Sequence, residues 1–280
     1  MTDASPVQRS DRVLPATRAV AIVLVPILTL AFIILFFQAR NTGDNFAWTI
    51  NPPMTAVIMA SGYLGGAYYF LRVAWNTRWH ETGVVLPAVS VFATVMFIAT
   101  VLHWENFNHG HLAFWLWVFL YVAAPPLVFG LWWFNRGEDP REPTGAEVPA
   151  ILRSVLLVLG VGSLLISLAL LFQPESWSGW WPWTLSPLTG RIISGWFALA
   201  ATASLLLSRE RRVTAWLIPF EATFIWAALI GAGALRYDDS FAGSAEQGLF
   251  LFAVGAWLVG FGLIYAWLRR ARPVAAPVPG

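Results

Sequence analysis

The stretch HWENFNHGH, His103 to His111, places three histidines and one glutamate within nine residues. Imidazole and carboxylate together are the ligand set of zinc and other divalent ions, which makes His103, His109 and His111 the metal candidates. Their spacing, His-x5-His-x-His, does not fall on one face of a helix, so the loop itself would have to wrap the ion. The alternative reading is a set of solvated loop histidines. No histidine falls in the middle of an apolar segment, which argues against haem ligation, and no cofactor follows from the sequence. A second group is Glu221, the one carboxylate deep inside an apolar segment, about 12 Å from its nearer end at 1.5 Å per residue. Two readings compete for it: an ion or proton relay, or a protonated partner for the backbone carbonyl freed by Pro219. A third group comprises Arg191, Arg236, Asp238, Asp239, Glu105 and His103 at segment ends. They could line a shared anion-contacting mouth, or pair among themselves, or, in the case of Arg191, reach the interface along an apolar stem.

These residues need elements to hold them. The 280 residues are 58% hydrophobic and 11% charged, where soluble domains carry roughly a quarter charged. An integral membrane protein is therefore expected, with the lipid bilayer as its first partner. Cysteine and lysine are both absent, which removes disulfides, thiolate metal sites and lysine nucleophiles. A net charge of +2 is too small to suggest nucleic acid. Segments near 19–38, 53–74, 84–104, 112–135, 150–172, 187–208, 213–235 and 247–268 each supply the ~20 apolar residues a spanning helix needs. The first lacks a small-x-small site and does not read as a cleavable signal.

Orientation follows from the arginines. Fourteen of the 17 basic residues fall on one side of this threading, and Arg40, Arg191 and Arg236 on the other. The positive-inside rule then puts both termini in the cytoplasm. The chain also repeats itself. IILFFQ (33–38) corresponds to LALLFQ (168–173), WTI (48–50) to WTL (183–185), PMT (53–55) to PLT (187–189), and LPAVSVF (86–92) to IPFEATF (218–224); HWEN (103–106) sits opposite RYDD (236–239). The expected fold is all-α, eight transmembrane helices in two parallel four-helix repeats. Its parts are a tail over 1–18, a half over 19–135, a linker over 136–149, a half over 150–268 and a tail over 269–280. Parallel repeats of this kind occur in transporters, with the site at the repeat interface. Gly62 and Gly66 give the second segment a small-xxx-small face suited to close helix packing.

Trp48, Trp104, Trp177, Trp180, Trp181 and Trp183 lie at segment ends, where indole favours the headgroup level. An interfacial aromatic girdle is the main reading and an ordered lid the other. The phrases around Trp48, LHWENF and WPWTLSPLTGR resemble those of a family of uncharacterised bacterial multipass membrane proteins with repeated WTI/L-x-P-x-T motifs. The resemblance runs over most of the chain and implies the threading alone, since that family brings no activity or catalytic residue to carry over. The expected protein is thus a multipass protein of the bacterial inner membrane. A small-solute or ion transporter with its path between the halves is the leading reading. The alternatives are a non-catalytic accessory, assembly or sensing subunit that presents Trp-rich outer loops, and a membrane enzyme with an outer-face His/Glu/Asp site. A membrane-protein partner or a second copy of the chain is the protein partner such a subunit would take.

Overall fold

The computed structural model describes residues 9–142 and 146–272. The outer ends of both tails and residues 143–145 of the linker lie outside the described residues. Eight helices are long and apolar enough to cross a membrane. They are α1 (Pro15–Phe37), α2 (Pro53–Trp75), α3 (Leu86–Leu102), α4 (Leu112–Asn135), α5 (Ala150–Phe172), α6 (Pro187–Leu207), α7 (Val213–Arg236) and α8 (Ser244–Ala271). Among the described residues there is no strand, only two isolated bridges. The starts of α1, α2, α3 and α6 carry proline in the first turn, where its missing N–H costs nothing and its fixed φ suits the helix. Ser186 caps α6 by accepting from Thr189 N at 3.2 Å.

Burial sorts the helices into two classes. Inside the bundle, 78% of the apolar stretch of α2 and half of those of α3, α6 and α7 are buried, against 6% of that of α8. The inner four pack as α2 on α7 and α3 on α6, and each outer helix leans on one inner neighbour: α1 on α2, α5 on α6, α4 on α3, α8 on α7. The outer helices carry large exposed apolar side chains such as Leu112, Phe119, Leu165 and Phe252. An apolar surface of that kind is stable only against lipid.

Close approach between helices depends on small residues. A Cβ on Gly65 would stand 2.9 Å from the backbone oxygen of Ala222, so α7 packs directly on the α2 backbone there. On Gly62 it would meet the Trp196 ring at 2.3 Å. The sequence pairs Gly62 with Gly66, and the close contacts fall on Gly62 and Gly65.

The connections gather at two ends. At the arginine-rich end, Arg12 bridges to Arg78 and Glu147 to Arg212. Buried Asn135, at the end of α4, accepts from Leu14 N and Thr17 Oγ1 at 2.9 and 3.0 Å and donates to Arg12 O at 2.9 Å. These bonds explain why α1 begins four residues before its apolar stretch. At the tryptophan-rich end, Asn108 N donates to Ala47 O at 2.8 Å and Ala242 N to Pro182 O at 3.2 Å.

Candidate functional site

Glu221 lies on α7 opposite α2 and α8. Its Oε2 accepts from Tyr68 Oη and from the Arg72 guanidinium, and its Oε1 accepts from Tyr265 Oη at 2.8 Å. Tyr68 and Arg72 sit one turn apart on α2, and Arg72 also donates to the Tyr68 oxygen at 2.6 Å. The carboxylate is thus the acceptor of an ion pair plus two phenol bonds, rather than a proton donor to the carbonyl freed by Pro219. Sequence reasoning used Arg72 only to orient the chain. The available signal was a Tyr-x3-Arg spacing on one face of an apolar helix.

At the tryptophan-rich end the structure brings together some of the singled-out residues and separates others. Arg191 donates to His103 Nε2 at 2.6 Å and to Leu171 O at 3.0 Å. Burial and the neighbouring Arg191 charge hold the His103 pKa below the usual histidine value, against a hydrogen bond with Asn106 that raises it. Arg236 instead lies over the Tyr237 ring, 5.4 Å from its centroid, and Arg40 lies 5.3 Å from the same centroid. Arg40 pairs with Asp239 at 2.9 Å, both more than half exposed, and the Asp238 side chain accepts from Asp239 N at 2.9 Å. Arg191 and Arg236 therefore have separate partners. Glu105 is exposed.

The metal candidates are not gathered. His103 faces Arg191, His109 Nε2 meets Trp104 O at 3.0 Å, and His111 Nδ1 meets Phe46 O at 3.2 Å. Each imidazole makes a different local contact, and no group of three metal-ligating side chains exists among the described residues. The tryptophans divide as well. Trp177 and Trp180 are exposed, as an interfacial girdle requires, but Trp48 and Trp183 are core residues at 3% and 2% exposure. Trp183 Nε1 donates to Thr55 Oγ1 on α2 at 2.9 Å, linking the first part of the chain to the second.

One buried histidine escaped the sequence reading. His80 Nδ1 contacts Asp11 Oδ2 at 2.6 Å, and Nε2 contacts Thr214 Oγ1 at 3.0 Å. Acid, imidazole and hydroxyl in that order suggest a nucleophile relay. With His80 only 2% exposed, however, the group is closed to substrate and ties the N-terminal tail, the α2–α3 loop and the first turn of α7. Beside it, Arg212 grips Asp139 through two bonds of 2.6 and 2.9 Å and Glu210 at 2.7 Å. Burial alone would raise the Asp139 pKa, but the Arg212 bonds leave it below the usual carboxylate value.

A partly enclosed cavity of about 300 Å³ lies among the helices. All eight contribute to its wall, the outer ones through residues such as Leu28, Tyr121, Leu156 and Trp257. Among the described residues, the lining contains no histidine and no charged side chain. Its polar atoms belong chiefly to Tyr63, Tyr69, Tyr121 and several tryptophans, with Ser204 and Thr223. The size lies at the lower end of the range that holds small-molecule ligands.

The chain matches no family model, no curated protein and no solved structure.

Proposed function

We propose that this is a bacterial inner-membrane transporter of a small uncharged solute, built from two parallel four-helix halves with both termini in the cytoplasm. The observation that carries the reading is the cavity, because its wall draws on all eight helices and so depends on both halves. Relative motion of two such halves about a central site is how repeat-built transporters alternate access. The uncharged lining favours a neutral solute over an ion, since an ion there would lack a countercharge.

Several contacts support the repeat. Pairing α2 with α7 and α3 with α6 is one arrangement seen twice once the halves are exchanged. The bridge between Glu147 and Arg212 is the bridge between Arg12 and Arg78 displaced by 135 and 134 positions. Gly62 and Trp196, in register with the Pro53 and Pro187 motif, face each other, as equivalent positions do beside a two-fold axis. The grouping of the N-terminal tail with the arginine-rich loops supports the orientation.

The chain contains no cysteine, which permits a clean test. Ala200, in the cavity wall, is replaced by cysteine and the protein is placed in liposomes. A water-soluble maleimide should modify it when offered from either side. Modification from one side only, or from neither, removes the transporter and leaves the accessory-subunit reading in front.

A further inference from the structure

We infer that the cavity takes an uncharged, membrane-soluble molecule bearing a carbonyl oxygen, which a bilayer supplies either as a quinone or as an acyl ester. This rests on the reading above that the cavity is a ligand site. Two features of the wall select the chemistry, and the first is its surplus of donors. Most polar groups there are satisfied by protein: Tyr69 donates to Thr82 O, Trp117 to Thr100 Oγ1 at 2.8 Å, and Trp226 to Ile58 O at 3.3 Å. Trp196 is the exception among the buried ones. It is 3% exposed, and its Nε1 is buried with no acceptor. Indole N–H only donates, so the group that completes it must be an acceptor.

The same aromatic cluster holds a second donor. The hydroxyls of Tyr63 and Tyr121 lie 2.8 Å apart, and either can be the donor. Whichever oxygen accepts keeps its own proton, and that proton has no partner within the pair. Both residues belong to the same aromatic cluster as Trp196. Tyr63 lies 5.3 Å from Trp196, Phe92 lies 4.4 Å from Trp196, and Phe92 lies 5.9 Å from Tyr121, ring centre to ring centre. Two spare donors borne by one aromatic cluster call for an acceptor such as a carbonyl oxygen, because a buried donor without an acceptor is costly.

The remaining wall excludes the other carbonyl-bearing classes. A carboxylate would need a cation, and the lining has none. A sugar or an amino acid would need many polar contacts, whereas the wall is apolar apart from the groups named. Flat aromatic faces favour a flat ring in offset or edge contact, so of the two sources the quinone should bind more tightly than the ester.

The full chain in nanodiscs of ether-linked phosphatidylcholine, which has no ester carbonyl, is titrated with decyl-benzoquinone, methyl decanoate and decylbenzene. Binding is read from the rise in melting temperature. Decyl-benzoquinone should bind at least about tenfold more tightly than decylbenzene, the worth of one good hydrogen bond. The double variant Tyr63→Phe/Tyr121→Phe should reduce that ratio towards one, and Trp196→Phe should lower it with both tyrosines in place. An ester that binds as tightly as the quinone supports the carbonyl and assigns the source to lipid. Decylbenzene equal to both, or a ratio unmoved in both the double variant and Trp196→Phe, overturns the inference while leaving the cavity a ligand site. Failure of all three probes, with Gly66→Leu in the cavity wall behaving as wild type, overturns the ligand site itself.

Discussion

Glu221 and Arg72 show what a single residue can and cannot disclose. A lone carboxylate in an apolar helix is expensive and must be answered by something nearby. The sequence identifies the acid but not its partner, because nothing in the order of residues says which face of α2 meets α7. The two now form an ion pair across the helices, with Glu221 16% and Arg72 37% exposed. Removing one partner of such a pair leaves the other uncompensated, whereas removing both leaves no unpaired charge. Glu221→Leu should therefore lower stability by about 3 kcal/mol, less than a fully buried pair would lose because Arg72 can reach solvent. The double variant Arg72→Leu/Glu221→Leu should recover at least half of that loss. Thermal or SDS unfolding of the four proteins measures the cycle. A loss in the double variant equal to the sum of the two single losses would mean that the pair is not coupled. His80 illustrates the same limit from the other side: its partners Asp11 and Thr214 are 69 and 134 positions away, and only the fold brings them together.

At the scale of elements the sequence is far more legible, because length and hydropathy decide a spanning helix and both are local properties. All eight segments appear as helices, with ends that differ by a few residues where proline starts or polar bonds extend a turn. What the segments do not reveal is burial. The tryptophans of the WTI and WTL motifs look interfacial by composition, yet they are packed into the core because the chain folds back over the helix ends. The glycine face of α2 is legible as a packing face, though not in its register. Gly65 rather than Gly66 meets α7, and the atom opposite is a backbone oxygen, which cannot swing aside. Gly65→Ala should thus push α2 from α7 and lower stability by about 1–3 kcal/mol. Gly66→Ala adds a methyl in ordinary contact with Leu28, 3.5 Å away, and should change it far less. Side-by-side melting of the two variants decides the register, and a larger loss at Gly66 would contradict it.

For the molecule as a whole, the bundle has two distinct ends, and the proposed orientation puts the arginine-rich one in the cytoplasm. Translocation opposes positive charge in short loops, so the side that holds most arginines stays inside. The arginine-rich end is also the end where the N-terminal tail, the α2–α3 loop, the residues after α4 and the α6–α7 loop bond to one another. An error in the helix count would have split that group between two ends, and the bonds join it at one. Reporter tags inserted after Arg78 and after Arg211 should therefore both read cytoplasmic, while tags after Asn108 and Ser178 read external. The inserts at Arg78 and Arg211 come from different halves, so their agreement tests the parallel relation of the halves as well as the orientation. Opposite signals from those two sites would require an odd number of crossings between them. Such a result would make the halves inverted rather than parallel, turn the symmetry axis into the membrane plane, and end the transport reading in the form proposed.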